Sequence, residues 1–141
     1  FLLIGGGDKY RDMEALIAEN NLQNIKILPW QDTKTLPFTL SGADLALVTV
    51  GNEASDLSIP SKTYNLMSVG TPILCVAPKE AALSKLVESE KIGIVFQENE
   101  LKSMMDFINK CIVDNKYMDN LKHNLLHASL NYTSLNANKF L

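Results

Sequence analysis

Cysteine is nearly missing from this sequence: Cys75 and Cys111 are the only two, each inside an apolar run and with no paired spacing between them. That excludes a disulfide scaffold and a zinc framework, and two lone thiols are expected of a protein in a reducing compartment, the cytoplasm. Long apolar runs are missing too. None approaches the roughly 20 residues needed to span a bilayer, and no basic-then-apolar leader opens the chain. Nor is there an excess of positive charge: 13 Lys and Arg stand against 16 Asp and Glu, for a formal net charge of -3, so a nucleic-acid partner is not expected.

What is present is apolar substance, 46% of 141 residues, enough to bury a substantial core in one domain. Short, nearly continuous apolar runs recur at Leu2 to Gly5, Ile25 to Leu28, Leu45 to Val50, Ile73 to Ala77 and Gly93 to Phe96. Such runs suit strands buried on both faces. Between them lie segments with helical spacing, marked by Tyr10, Met13, Leu16 and Ile17, then Leu36 to Leu40, then Tyr64 and Met67, then Leu83, Leu86 and Val87. The alternation predicts an α/β fold, a Rossmann-like parallel sheet flanked by helices. Asp8 is expected to cap the first helix, Pro60 to Lys62 to open the third and Gly70 to close it. After Phe96 the pattern changes to a terminal helical pair, the first carrying Leu101, Met104, Met105, Ile108 and Ile112, the second Met118, Leu121, Leu125 and Ala128. Because Phe1 to Ile4 are already strand-like, the chain reads as a fragment of something longer.

In an open parallel sheet ligands bind outside the carboxyl ends of the strands, which directs attention to the loops after Gly5, Leu28, Val50 and Ala77. The most informative segment runs from Gly51 to Gly70, where a polar loop enters a helix at Pro60-Ser61-Lys62. Proline there has no amide proton to waste, while the free amides of the next turn, the Ser61 hydroxyl and the Lys62 ammonium can face an anion. The plainer reading is that Ser61 caps the helix and Lys62 is solvated.

The stretch Pro60-Ser61-Lys62-Thr63-Tyr64-Asn65-Leu66-Met67-Ser68-Val69-Gly70-Thr71-Pro72-Ile73-Leu74 resembles the signature of the retaining GT-B glycosyltransferases called glycosyl transferases group one. It is most similar to the bacterial surface-polysaccharide members, with their pattern P-S-K-x-[FY]-E-x-M-A-x-G-x-P-I. Phe1 to Gly7 resembles the family's second strand and glycine turn, Asn24 to Val50 the stretch through the base-binding loop to Ala43-Asp44, and Leu86 to Phe96 the following strand with Gly93. The resemblance implies the carboxyl-terminal, donor-binding half of a GT-B enzyme, lacking its first strand and the amino-terminal acceptor domain.

It further implies a UDP-sugar or GDP-sugar donor, UDP favoured; no cofactor is expected, and no metal, since no acidic cluster resembles a magnesium cage for the diphosphate. The base would lie near Pro29, Trp30 and Gln31, the diphosphate at Ser61 and Lys62, and the sugar at the loop of Ser55, Asp56, Leu57 and Ser58. Trp30 reads equally as an aromatic packed under the second helix. Where the commoner pattern has a ribose-binding glutamate, this chain has Asn65, which can donate to and accept from a hydroxyl but carries no charge. The first glutamate of the family pair has no counterpart, since Leu57 occupies its place and Glu53 lies too early. No residue is identified as catalytic. Transfer would require the missing half, through which any association with the inner face of the membrane would also occur, and the isolated chain is expected to bind donor without catalysing transfer.

Other motifs carry less. Gly5-Gly6-Gly7 fails the dinucleotide fingerprint, because its third glycine would fall at Tyr10. His123 and His127 have the spacing that puts two imidazoles on one helix face, but the glutamate of H-E-x-x-H is absent. Two alternatives remain, a sugar-nucleotide epimerase of GT-B fold and a flavodoxin-like or receiver-type regulatory module. The receiver would need an aspartate ending its third strand, where this chain runs Leu45 to Val50 without one.

Overall fold

The structure, a computed structural model, describes residues 1–51 and 59–133. The chain folds as two compact units, Phe1–Leu36 and Pro37–Leu141. The first holds β1 (Leu2–Ile4), α1 (Tyr10–Glu19), β2 (Lys26–Leu28) and a 3-10 turn at Thr33–Thr35. β1 and β2 run parallel with Leu2 opposite Lys26, and Gly5 N–H extends the ladder by donating to Leu28 O at 3.0 Å. Gly5 and Gly7 take φ of 140° and 139°, a region open essentially to glycine alone, and this turns the chain from strand to helix. Asp8 does not cap α1 as expected: the cap position is Lys9, one residue later, and no side chain caps it.

The second unit contains α2 (Leu36–Ser41, entered from the first unit), β3 (Ala46–Thr49), α3 (Ser61–Val69), β4 (Ile73–Val76), α4 (Ala82–Glu90), β5 (Gly93–Phe96), α5 (Leu101–Val113) and α6 (Asn115–Ser129). Its sheet has the order β3-β4-β5, all parallel, with Ala46 opposite Ile73 and Ile73 opposite Gly93. All five apolar runs form strands, and every strand pairing is parallel, as the alternation predicts. β4 is central, and its side chains alternate between two cores. Ile73 and Cys75 join Val48, Leu66, Met67, Leu83 and Val87 beneath α3 and α4, whereas Leu74 and Val76 join Phe96 and Phe107 beneath α5. Burial on both sides is why β4 shows no polar alternation. It also pushes the Cys75 thiol up to about 11, so this cysteine is an inert core group.

Gly70 closes α3 in the left-handed conformation at φ 73°, as its position predicts, and Thr71 N–H then donates to Leu66 O at 3.0 Å. α5 and α6 form the terminal pair, but α6 packs more extensively on α3 than on α5. Its Met118 and Leu121 belong to the core under α5, its Leu125 and Ala128 to the core under α3 and α4. It passes the amino ends of the strands, where Asn124 Nδ2 donates to Lys91 O at 3.0 Å and Leu126 lies against Gly70. One end of the sheet is thus closed by α6, leaving ligand access to the carboxyl end.

Thr63, fully buried on the first turn of α3, has a hydroxyl with no hydrogen-bond partner among the described residues. A buried orphan hydroxyl costs free energy that an isosteric methyl does not. Thr63→Val is therefore expected to raise stability by about 1 kcal/mol in urea unfolding. A clear loss instead would mean that the hydroxyl has a partner.

Candidate functional site

The amino end of α3 is set by Pro60, whose extended backbone (φ -56°, ψ 132°) occupies the cap position without a side-chain bond. Thr63 N–H already donates to Pro60 O at 2.9 Å, so the amides without a partner among the described residues at this end are those of Ser61 and Lys62. Ser61 is in the first turn rather than at the cap, exposed, which removes the plainer reading of it as a capping serine. Asn65 stands four residues on, on the same exposed face; its main-chain carbonyl accepts from Ser68 Oγ at 2.7 Å.

Lys62 is neither free in solvent nor directed wholly outward. Its Nζ donates to Leu47 O at 3.3 Å. In β3 the residues facing β4 are Ala46, Val48 and Val50, as shown by Ala46 N–H to Pro72 O at 2.9 Å and Val50 N–H to Val76 O at 3.0 Å. The carbonyl of Leu47 therefore points to the other edge of β3, and the ammonium covers it. Desolvation in this position lowers the Lys62 pKa. Ser55, Asp56, Leu57 and Ser58, and likewise Glu53, lie outside the described residues.

In the first unit, Pro29, Trp30 and Gln31 directly follow β2, and the triple glycine follows β1, so both loops leave carboxyl ends of strands. The Trp30 indole lies against the glycine turn: a β-carbon on Gly5 or Gly6 would come within 3.6 or 3.2 Å of it. The absence of side chains there lets the ring rest on backbone, and Trp30 is still 77% exposed. It is thus not a buried packing residue, and one face of a large aromatic is open to a ligand. Gln31 Nε2 donates to Pro29 O at 2.8 Å, which leaves its amide oxygen available.

A further feature was not read from the sequence. At the carboxyl ends of β3, β4 and β5 lies an open pocket of about 360 Å³, lined by the apolar Val50, Val76, Ala77 and Pro78 and the exposed polar Lys79, Gln97, Glu98 and Asn99. Both rim loops are tied down: Ser84 Oγ donates to Pro78 O at 2.7 Å, and Gln97 N–H donates to Glu100 Oε2 at 2.7 Å while Glu100 N–H returns to Gln97 O at 3.0 Å. The rule that singled out the loop after Ala77 applies equally to the polar run Gln97 to Glu100 after β5, and that was the signal to follow.

His123 and His127 do stack on α6, ring centroids 6.5 Å apart, but among the described residues no third metal-ligating side chain joins them. Among the same residues no helix is long and apolar enough to cross a membrane.

Comparison with known proteins bears on what these loops belong to. The chain is 25% identical over 114 residues to WcaI of Escherichia coli (strain K12), named for glycosyl transfer in colanic acid biosynthesis, covering 80% of this chain and 28% of that protein. It is 26% identical over 137 residues to WbjE of Pseudomonas aeruginosa, named as a glycosyltransferase, covering 96% and 34%. The fold matches crystal structures of WaaG, a glycosyltransferase involved in lipopolysaccharide biosynthesis, and of Anabaena Alr3699/HepE in complex with UDP-glucose. Each has a TM-score of 0.71, at 15% and 22% identity, over 91% of this chain and 33% and 35% of theirs. The chain therefore spans about a third of the length of the proteins it matches, and its architecture is that of one half of a GT-B fold. The family profile of glycosyl transferases group 1 matches residues 1–126, and the chain belongs to that family.

Proposed function

We propose that this chain binds a nucleotide diphosphate sugar, UDP-linked by preference, as the donor half of an enzyme that transfers sugar to a growing bacterial surface polysaccharide or lipid-linked acceptor. The observation that carries the reading is the amino end of α3, where the Ser61 and Lys62 amides have no partner among the described residues, Ser61 is exposed in the first turn, the Lys62 ammonium sits on the Leu47 carbonyl at the edge of β3, and a proline stands in place of a competing cap. Transfer builds positive charge on the sugar and negative charge on the departing diphosphate. Fixed amides and a cation stabilise the second of these at no cost of reorganisation. In this reading Trp30 and Gln31 receive the base, Asn65 meets the ribose through its carboxamide, and the loop of Ser55, Asp56, Leu57 and Ser58 meets the sugar. The complex of HepE with UDP-glucose supports the donor class. The short span relative to matched proteins supports placing a first strand and an amino-terminal acceptor domain elsewhere in the full enzyme, which transfer requires.

Trp30 is the only tryptophan, so the protein's indole emission reports on one residue. A base stacking on its open face is expected to quench that emission saturably when UDP or UDP-glucose is titrated to millimolar concentration, with GDP less effective. If neither nucleotide changes the emission, and calorimetry with both shows no saturable heat, the donor-binding reading is wrong.

A further inference from the structure

β3 combines the composition of an interior strand with the position of an edge strand. Leu45 to Val50 carries no charge and no proline, the kind of run found where parallel strands are covered on both sides. Yet in its sheet β3 pairs with β4 alone, and Leu47 is 56% exposed. Successive residues of a strand direct their main-chain groups to opposite edges. Those of Ala46, Val48 and Val50 meet β4, so the N–H and C=O groups of Leu47 and Thr49 point outward. Among the described residues these four groups find a single partner, the Lys62 ammonium on Leu47 O. That bond is 3.3 Å long, beyond the roughly 2.9 Å usual for N–H donors to carbonyls. The ammonium is partly desolvated there, with no carboxylate at ion-pair distance among the described residues.

We propose that the outer edge of β3 takes a further parallel strand, supplied by the part of the full enzyme outside this sequence, and that Lys62 changes partner when the strand docks. A main-chain N–H of the strand takes over the Leu47 carbonyl, and the ammonium passes to the anion seat at the start of α3. A strand fits this edge because it both donates and accepts along its length, whereas an ammonium only donates and leaves the Leu47 and Thr49 amides unsatisfied. Parallel pairing continues the pattern, since every strand pairing in the chain is parallel. The matched proteins are about three times as long as this chain, so there is polypeptide to provide the strand. Until it docks, Lys62 acts as lysines do at exposed edges, discouraging pairing with other chains. The hand-over of Lys62 rests on the reading of α3 as a diphosphate seat; the strand does not.

Hydrogen exchange of the full-length enzyme, read amide by amide, tests the strand. The Leu47 and Thr49 amides are expected to exchange about a hundredfold or more slower than in the 141-residue chain alone, while those of Val48 and Val50 are protected in both. Leu47 and Thr49 amides that exchange in the full-length enzyme as fast as exposed loop amides overturn the proposal. So does their protection in the chain alone together with a dimer in sedimentation, since the edge then pairs with a second copy. The hand-over is read from UDP affinity. Lys62→Ala is expected to cost about threefold more, or beyond, in the full-length enzyme than in the chain, where the ammonium must first leave Leu47. A loss of the same size in both forms overturns the hand-over. No loss in either form overturns the diphosphate seat instead, and protected Leu47 and Thr49 amides then still establish the strand.

Discussion

Gly93→Ala is expected to remove more than about 4 kcal/mol of folding stability, a loss reserved for substitutions that break the backbone arrangement itself. A β-carbon on Gly93 would lie 1.9 Å from Ile73 O and 2.7 Å from its carbonyl carbon. These are main-chain atoms of the buried central strand, paired in register with Gly93, so no flexible side chain can yield. Relief requires β5 to move off β4, which disrupts the ladder and parts Phe96 from Phe107, whose rings are 5.7 Å apart. Urea unfolding followed by circular dichroism measures this. A variant that retains its midpoint would show that β4 and β5 do not approach as closely as described.

The second large effect concerns Lys62. Lys62→Ala is expected to weaken UDP binding tenfold or more, by about 1.5–3 kcal/mol, while leaving uridine binding unchanged, because only the diphosphate presents charge to the ammonium. Equal losses for both ligands would take Lys62 out of the phosphate role and leave it as a cover for the Leu47 carbonyl. Its pKa adds a pH signature with a definite sign. Desolvation lowers the folded-state pKa of this lysine, so the ammonium is lost at a lower pH than in the unfolded chain, and stability rises rather than falls through that interval. A bound diphosphate supplies the missing counter-charge and raises the pKa again. UDP affinity is therefore expected to fall as pH rises through the lowered pKa, with proton uptake on binding, measurable by calorimetry in two buffers of different ionisation enthalpy. Binding without proton uptake at alkaline pH would contradict the pairing.

Much of the fold was legible because strands buried on both faces leave unbroken apolar runs. Ile73 to Ala77 is the clearest case, its alternate residues feeding two cores. Helix ends were legible where geometry demands a residue type, as with Gly70 at positive φ, and not where capping is optional, as with Asp8. The partners of α6 were hidden because periodicity defines an apolar face without saying what covers it. Met118 and Leu125 look alike in the sequence, yet they enter different cores. At the site, the resemblance of Pro60 to Leu74 pointed to Ser61, Lys62 and Asn65, and the structure shows where each stands. The engagement of Lys62 with the β3 edge was not legible, because it depends on which backbone carbonyls of β3 lack a strand partner. Lys79, Gln97, Glu98 and Asn99 were overlooked for a similar reason: each is an ordinary polar loop residue until the ends of three strands bring them to one rim.

The passage of α6 from one core to the other has a kinetic corollary. The second unit cannot complete either hydrophobic interior until Met118 to Ala128 have left the ribosomal tunnel, so its folding awaits nearly the last residues of this sequence. A nascent chain stalled before α6 would leave apolar surface of both cores uncovered at once, presenting the kind of surface that chaperones hold and proteases cut.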